Sequence, residues 1–192
     1  MNVHNSPPVI DKSWTLFLDR DGVINVENPG TYVTSWNEFI FCDGVLGSVH
    51  LLNELFGRIV IVTNQRGVGR GIMSMDDLKE ISINMTDAVV NAGGRIDRIY
   101  ACTAIDDADH NRKPHTGMGQ QAKEDFPEID FKRSIMVGNS MSDMEFGKRL
   151  GMYTVFLTTK HEPFLLPHDM INEQFDSLKG WSETLVPDTV LG

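Results

Sequence analysis

Four short polar clusters carry side chains able to do chemistry: Asp19-Arg20-Asp21-Gly22, Thr63-Asn64-Gln65, Arg112-Lys113-Pro114 and Gly138-Asn139-Ser140-Met141-Ser142-Asp143. Between them they hold two carboxylates at a spacing of two, a hydroxyl, side-chain amides and adjacent cations. Carboxylates can attack an electrophile, move a proton or hold a hard cation, and arginine or lysine can receive an anion. Taken singly, each cluster is better explained as a turn or a helix cap. What sets them apart is where they fall along the chain.

Three of the four directly follow an apolar run of strand length. Trp14–Leu18 stops at Asp19, Ile59–Val62 at Thr63, and Ile135–Val137 at Gly138; the Arg112 cluster lies one loop beyond a strand at Ile99–Cys102. A fifth strand is expected at Tyr153–Leu157. Helical patterns separate the strands. Val45, Val49, Leu52 and Phe56 recur at helical spacing, and Ser74 followed by Asp76 and Asp77 reads as a capped helix start. That second helix buries Leu78, Ile81, Met85, Ala88 and Ala92. A shorter helix begins near Thr116, with Met118, Ala122 and Phe126 inward. Another runs from Ser140 to Leu150 and stops at Gly151. One or two short helices are expected around Phe164–Phe175 and Leu178–Leu185.

This alternation predicts a single three-layer α/β domain: a central, mostly parallel sheet of five or more strands, with helices on both faces. In such sheets ligands bind outside the carboxyl ends of the strands, near the point where strand order reverses. The polar clusters fall there. The chain, 192 residues long, has room for one such domain, read as 14–192, preceded by a flexible polar arm over 1–13. No apolar run approaches the roughly 20 residues of a membrane helix. Cys42 and Cys102 are too few for a disulfide framework or a four-cysteine zinc site. A cytoplasmic monomer is expected. The formal net charge of −10 disfavours nucleic acid and anionic membranes as partners, so an anionic ligand requires locally concentrated positive charge.

In order and spacing, Asp19-x-Asp21-Gly22, Thr63-Asn64, Lys113-Pro114 and Gly138-Asn139-x-x-x-Asp143 resemble the haloacid dehalogenase superfamily, over roughly Trp14 to Leu157. The resemblance implies a phosphatase for a small phosphorylated metabolite, with Asp19 as nucleophile and Asp21 as general acid and base. A phosphate ester repels nucleophiles through its own charge, so catalysis rests on positioning and neutralisation. Thr63 and nearby backbone N–H groups would hold phosphoryl oxygens, and Lys113 would supply a fixed positive charge. Mg²⁺ would be held by Asp19, the Asp21 carbonyl and Asn139, with Asp143 a ligand or one step behind. Asp21 separates this chain from dehalogenases, whose halide leaving group needs no proton. The family motif usually has aspartate where Asn139 stands. The amide removes one negative charge, and Asn139→Asp is expected to tighten Mg²⁺.

Further segments, Thr31-Tyr32-Val33, Phe39 through Val45, Val62 through Gly71 and Arg112 through Met118, resemble the D,D-heptose 1,7-bisphosphate phosphatase and histidinol-phosphatase branch. That branch has no large cap domain, and no interval here has room for one. Specificity would rest on the loops Val26–Tyr32, Asn64–Arg70 and Thr103–Arg112. Asn64, Gln65, Arg66, Arg70 and Arg112 are the candidate substrate contacts, the three arginines forming the local positive patch. Members of the branch often carry a structural zinc on three cysteines and a histidine. Here only Cys102 is in place, so no structural zinc is expected. The leading substrate on this resemblance is a heptose 1,7-bisphosphate, followed by histidinol phosphate. A response-regulator receiver fits badly, because its accepting aspartate follows the third strand. A non-catalytic phosphate-binding protein has only Asn139 in its favour.

Overall fold

The structure is a computed structural model that describes residues 7–28 and 30–186. Its centre is a six-stranded, wholly parallel sheet in the order β3-β2-β1-β4-β5-β6. The strands are β1 (Thr15–Leu18), β2 (Arg58–Asn64), β3 (Arg98–Cys102), β4 (Ser134–Gly138), β5 (Tyr153–Leu157) and β6 (Glu173–Phe175). The helices are α1 (Val45–Leu55), the single turn α2 (Arg66–Gly69), α3 (Met75–Asn91), α4 (Gly117–Asp125), α5 (Met141–Leu150) and α6 (Leu178–Thr184).

Strand side chains alternate between two apolar layers, as the period of a pleated strand requires. Leu16, Leu18, Ile59, Ile61, Ile135 and Val137 pack on one face with Val49 and Leu52 of α1, Ile81 and Met85 of α3, and Trp181 of α6. Phe17, Val60, Val62 and Met136 pack on the other with Met118 and Ala122 of α4 and Phe146 of α5. The inner strands are buried on both faces, and that is why they read in sequence as continuous apolar runs. Ser74 and Asp77 close a capping box at the start of α3, each side chain bonding the other's backbone N–H.

The chain builds β1, β2 and β3 outward, then returns across the sheet to add β4, β5 and β6 on the other side of β1. Strand order therefore reverses between β1 and β4. Asp19 and Asn139 leave the sheet at this point, and Asp19 N–H donates to Val137 O at 3.0 Å. The expected helix within Phe164–Phe175 is absent. The segment is irregular and ends in β6, a sheet edge held by register with Val155–Leu157 and by Gln174, which donates to Phe164 O at 2.8 Å. Of the segment read as an arm, residues 1–6 lie outside the described residues, Ile10 packs on the main core, and Lys12 Nζ donates to Asn53 O at 2.6 Å. Among the described residues, no helix is long and apolar enough to cross a membrane.

Candidate active site

Asp19 sits immediately past β1, nine-tenths buried, at the floor of a cavity of about 260 Å³. Arg20, Asp21, Glu27, Tyr32, Asn64, Arg112, Lys113, Asn139, Asp143 and Lys160 are among the residues around it. Lys113 is buried and reaches across from the loop after β3. Its Nζ lies 2.9 Å from Asp19 Oδ1, 2.6 Å from Asp143 Oδ1 and 2.7 Å from Val62 O. Against the cost of burial, the carboxylates of Asp143 and Asp19 hold the Lys113 ammonium above its ordinary pKa. Burial pushes Asp19 up to about 7; Lys113 opposes that rise, while Asp143 and Asp21 add to it.

The lysine is positioned by its backbone as well as by its charge. Asn64, the last residue of β2, donates from Nδ2 to Lys113 O at 3.1 Å and accepts from Lys113 N–H at 3.0 Å. This two-point clamp fixes a loop residue to a rigid strand. Asp143 is fixed by the start of α5: its Oδ2 accepts from Ser140 N–H at 3.0 Å and Ser140 Oγ at 2.7 Å. Gly138 makes the approach possible, because a Cβ there would lie 2.3 Å from Asp143 Cβ.

Asp21 accepts from Arg20 Nη2 at 2.8 and 2.9 Å, from Asn25 Nδ2 at 3.0 Å and from Gln65 Nε2 at 2.9 Å. Burial alone would raise its pKa, but the Arg20 guanidinium, together with the Asn25 and Gln65 donors, holds it below the usual carboxylate range. Thr63 and Gln65 are buried beneath this cluster, and Gln65 Nε2 donates to Thr63 Oγ1 at 2.8 Å. Asp19, Asp21, Asn64, Arg112, Lys113, Asn139 and Asp143 thus converge on one cavity, with Thr63 and Gln65 in its foundations.

The arginine patch does not assemble as one group. Arg112 lines the cavity, and its Nε donates to Asp107 Oδ1 at 2.9 Å. Arg66 pairs with the same carboxylate from α2 and is not part of the cavity wall. Arg70 donates to Tyr32 Oη at 3.0 Å and faces a separate groove with Thr34, Glu38 and Ile72. Three cavity residues had no role assigned from the sequence: Arg20, although it stands in the first polar cluster, Glu27, although it lies in the Val26–Tyr32 loop, and Lys160. The strand-end rule, applied to β5 as it was to the others, points to Thr158-Thr159-Lys160. Lys160 Nζ meets both Glu27 oxygens, at 3.0 and 2.9 Å.

The cavity lining therefore carries four carboxylates (Asp19, Asp21, Glu27, Asp143) against four cations (Arg20, Arg112, Lys113, Lys160). Among the described residues, no three His, Cys, Asp or Glu side chains gather closely enough to hold a metal by themselves. Magnesium fits this donor set nonetheless, since it needs only one or two carboxylates, keeps waters and completes its shell with phosphate. The Asn139 amide supports the fit: its nitrogen is committed to Glu27 and Thr159, which leaves the oxygen for the cavity.

Residues 16–163 match the family model described as polynucleotide kinase 3 phosphatase. D-glycero-D-manno-heptose-1,7-bisphosphate 7-phosphatase of Chlorobaculum tepidum is 33% identical over 164 residues, covering 79% of this chain and 82% of that protein. The α-anomer-named 7-phosphatase of Campylobacter jejuni is 34% identical over 151 residues, covering 79% and 86%. Among solved structures, the D,D-heptose 1,7-bisphosphate phosphatase of B. bronchiseptica, complexed with magnesium and phosphate, superposes with a TM-score of 0.77 at 26% identity. That match covers 90% of this chain and 97% of the other.

Proposed function

The chain belongs to the haloacid dehalogenase superfamily, in the branch of the heptose bisphosphate phosphatases, and on that basis we propose that it hydrolyses a sugar phosphate through a phosphoaspartate formed on Asp19. The observation that carries the reading is the placement of Asp19 at the sheet's switch point, with the Lys113 ammonium 2.9 Å from its Oδ1 and Asp21 on the same cavity. Lys113 fixes the rotation of the Asp19 carboxylate. An Asp19 oxygen attacks phosphorus as the ester P–O bond breaks, and Asp21 gives its proton to the departing alkoxide. In the second half, Asp21 takes a proton from water, whose oxygen attacks the same phosphorus. The acyl P–O bond then breaks, returning the Asp19 carboxylate and releasing phosphate. Without substrate, the donors around Asp21 hold its pKa below the usual carboxylate range. The first half draws on its protonated form, which a phosphate dianion brought beside it favours, and the second half returns that proton to Asp21 from water.

Mg²⁺, on Asp19, the Asp21 carbonyl and Asn139, with Asp143 a ligand or one step behind, would neutralise charge on the phosphate and on Asp19. The leading substrate is D-glycero-D-manno-heptose 1,7-bisphosphate, cleaved at position 7, a reading supported by the names of the relatives and by the cavity-facing cations Arg112 and Lys160. A cytoplasmic monomer without structural zinc completes the proposal. The test is a hydrolysis panel with and without Mg²⁺: an aryl phosphate, a heptose 1,7-bisphosphate, histidinol phosphate and a 3′-phosphorylated oligonucleotide. The heptose should lead and Asp19→Asn should abolish turnover, while Asp21→Asn should slow it by about 10²–10⁴-fold with little change in binding. Turnover retained in the Asp19 variant, or preference for the oligonucleotide, would overturn the reading.

A further inference from the structure

Asn139 stands where the superfamily's motif carries an aspartate, and its surroundings account for the exchange. The side chain is buried, and its Nδ2 donates to Glu27 Oε2 at 3.1 Å and to Thr159 Oγ1 at 3.1 Å. Thr159 Oγ1 in turn donates to Gly22 O at 3.0 Å. Gly22 takes a positive φ of 79°, and a Cβ there would lie 1.8 Å from Asn139 Nδ2. Two acceptors and a missing side chain therefore make a seat for an amide nitrogen on this side. The amide oxygen is left for the cavity that Asn139 lines.

We infer that Glu27 is a positioning residue for the cation site. It aims the Asn139 oxygen into the cavity and, one residue further out, holds a carboxylate shared between the amide and Lys160 in place of the charge that the amide lacks. The inference rests on the magnesium reading above and goes beyond it by reversing an expectation. Counting charges in the sequence, Asn139→Asp should tighten Mg²⁺. In the structure, that substitution sets a carboxylate oxygen against Glu27 Oε2, where a donor now sits, and like charges this close disfavour each other. The polarity of the pair can be inverted without that cost. Asn139→Asp combined with Glu27→Gln places the carboxylate on the cavity side and the amide donor behind it, with the same net charge.

The experiment is calorimetric titration of Mg²⁺ into the metal-free, substrate-free full chain, for wild type, Glu27→Gln, Asn139→Asp and the double variant. Thermal unfolding alongside verifies that each is folded. Glu27→Gln retains an oxygen able to accept from Asn139, so its loss of affinity, expected at about tenfold, reports the charge. Asn139→Asp should bind no more tightly than wild type and melt lower without metal. The double variant should return to within about threefold of wild-type affinity, the non-additivity that coupled neighbours show. Equal affinity in Glu27→Gln, tighter binding in Asn139→Asp, or a double variant weaker than both singles would overturn the inference while leaving the magnesium reading intact. A wild-type chain that takes up no Mg²⁺ would overturn both.

Discussion

Replacing Lys113 with methionine is the sharpest test of how the site holds together. The ammonium is buried, with two carboxylate oxygens at 2.9 and 2.6 Å and a carbonyl at 2.7 Å. Methionine matches its length and removes its charge. Two buried carboxylates then face each other uncompensated, and breaking a buried pair from one side costs about 3–5 kcal/mol. At roughly 2–4 °C per kcal/mol for a chain of this size, the melting temperature should fall by about 10 °C. The pH dependence gives the argument its sign. Asp19 has a folded pKa raised to about 7 from 3.8, so its contribution to stability is full below about pH 4 and is lost as pH rises through 7. Lys113 lowers that pKa, so its removal moves the loss to higher pH and makes it larger. The stability gap between variant and wild type should be small at pH 5, wide at pH 8, and narrowed at pH 8 by millimolar Mg²⁺. Chemical denaturation at the two pH values, with and without Mg²⁺, measures it. A gap below about 1 kcal/mol at pH 8, or one that does not change with pH, would refute the placement of Lys113 between Asp19 and Asp143.

Arg112→Ala should reduce kcat/KM for a bisphosphate by about 1–3 kcal/mol in transition-state terms and leave an aryl monophosphate much less affected. Asp107→Ala, which releases the Arg112 Nε contact, should give a milder loss in the same direction, read mainly in KM. Because the chain carries a net −10 while the cavity lining is balanced, the distant field repels an anionic substrate. At saturating Mg²⁺, kcat/KM for the bisphosphate should therefore rise between about 10 and 100 mM salt as the Debye length shortens; a fall would show local attraction to dominate.

The strands that carry Asp19, Thr63 and Asn139 were legible because strands buried on both faces must be apolar at successive positions. Polar residues abruptly ending such runs mark the functional edge of the sheet. β6 was not legible: Glu173-Gln174-Phe175 has no periodicity, and it becomes a strand only through pairing with β5. Nor could spacing tell which arginine faces the cavity. Asp107 pairs with both Arg66 and Arg112, yet Arg112, beside Lys113, lines the cavity while Arg66 on α2 does not, and Arg70 bonds Tyr32 beside another groove. Asn64, expected to touch substrate, also has a backbone task that sequence does not reveal, because its partner Lys113 lies far along the chain.

The spacing of the last motif follows from helix-cap geometry. In Gly138-Asn139-Ser140-x-x-Asp143, Ser140 is the N-cap of α5 and Asp143 its N3 residue, and the two exchange side-chain and backbone bonds. A carboxylate at N3 reaches back to the cap, so one oxygen is used there and the other is directed toward β1, where Lys113 meets it. Asn139, just before the cap, is still leaving β4 and faces the cavity from the other side of the turn. Three residues between Asn139 and Asp143 are what one helical turn requires to bring both to Asp19. An insertion there would uncap α5 and separate the two site residues at once. Local stability and site geometry are therefore set by the same four-residue turn.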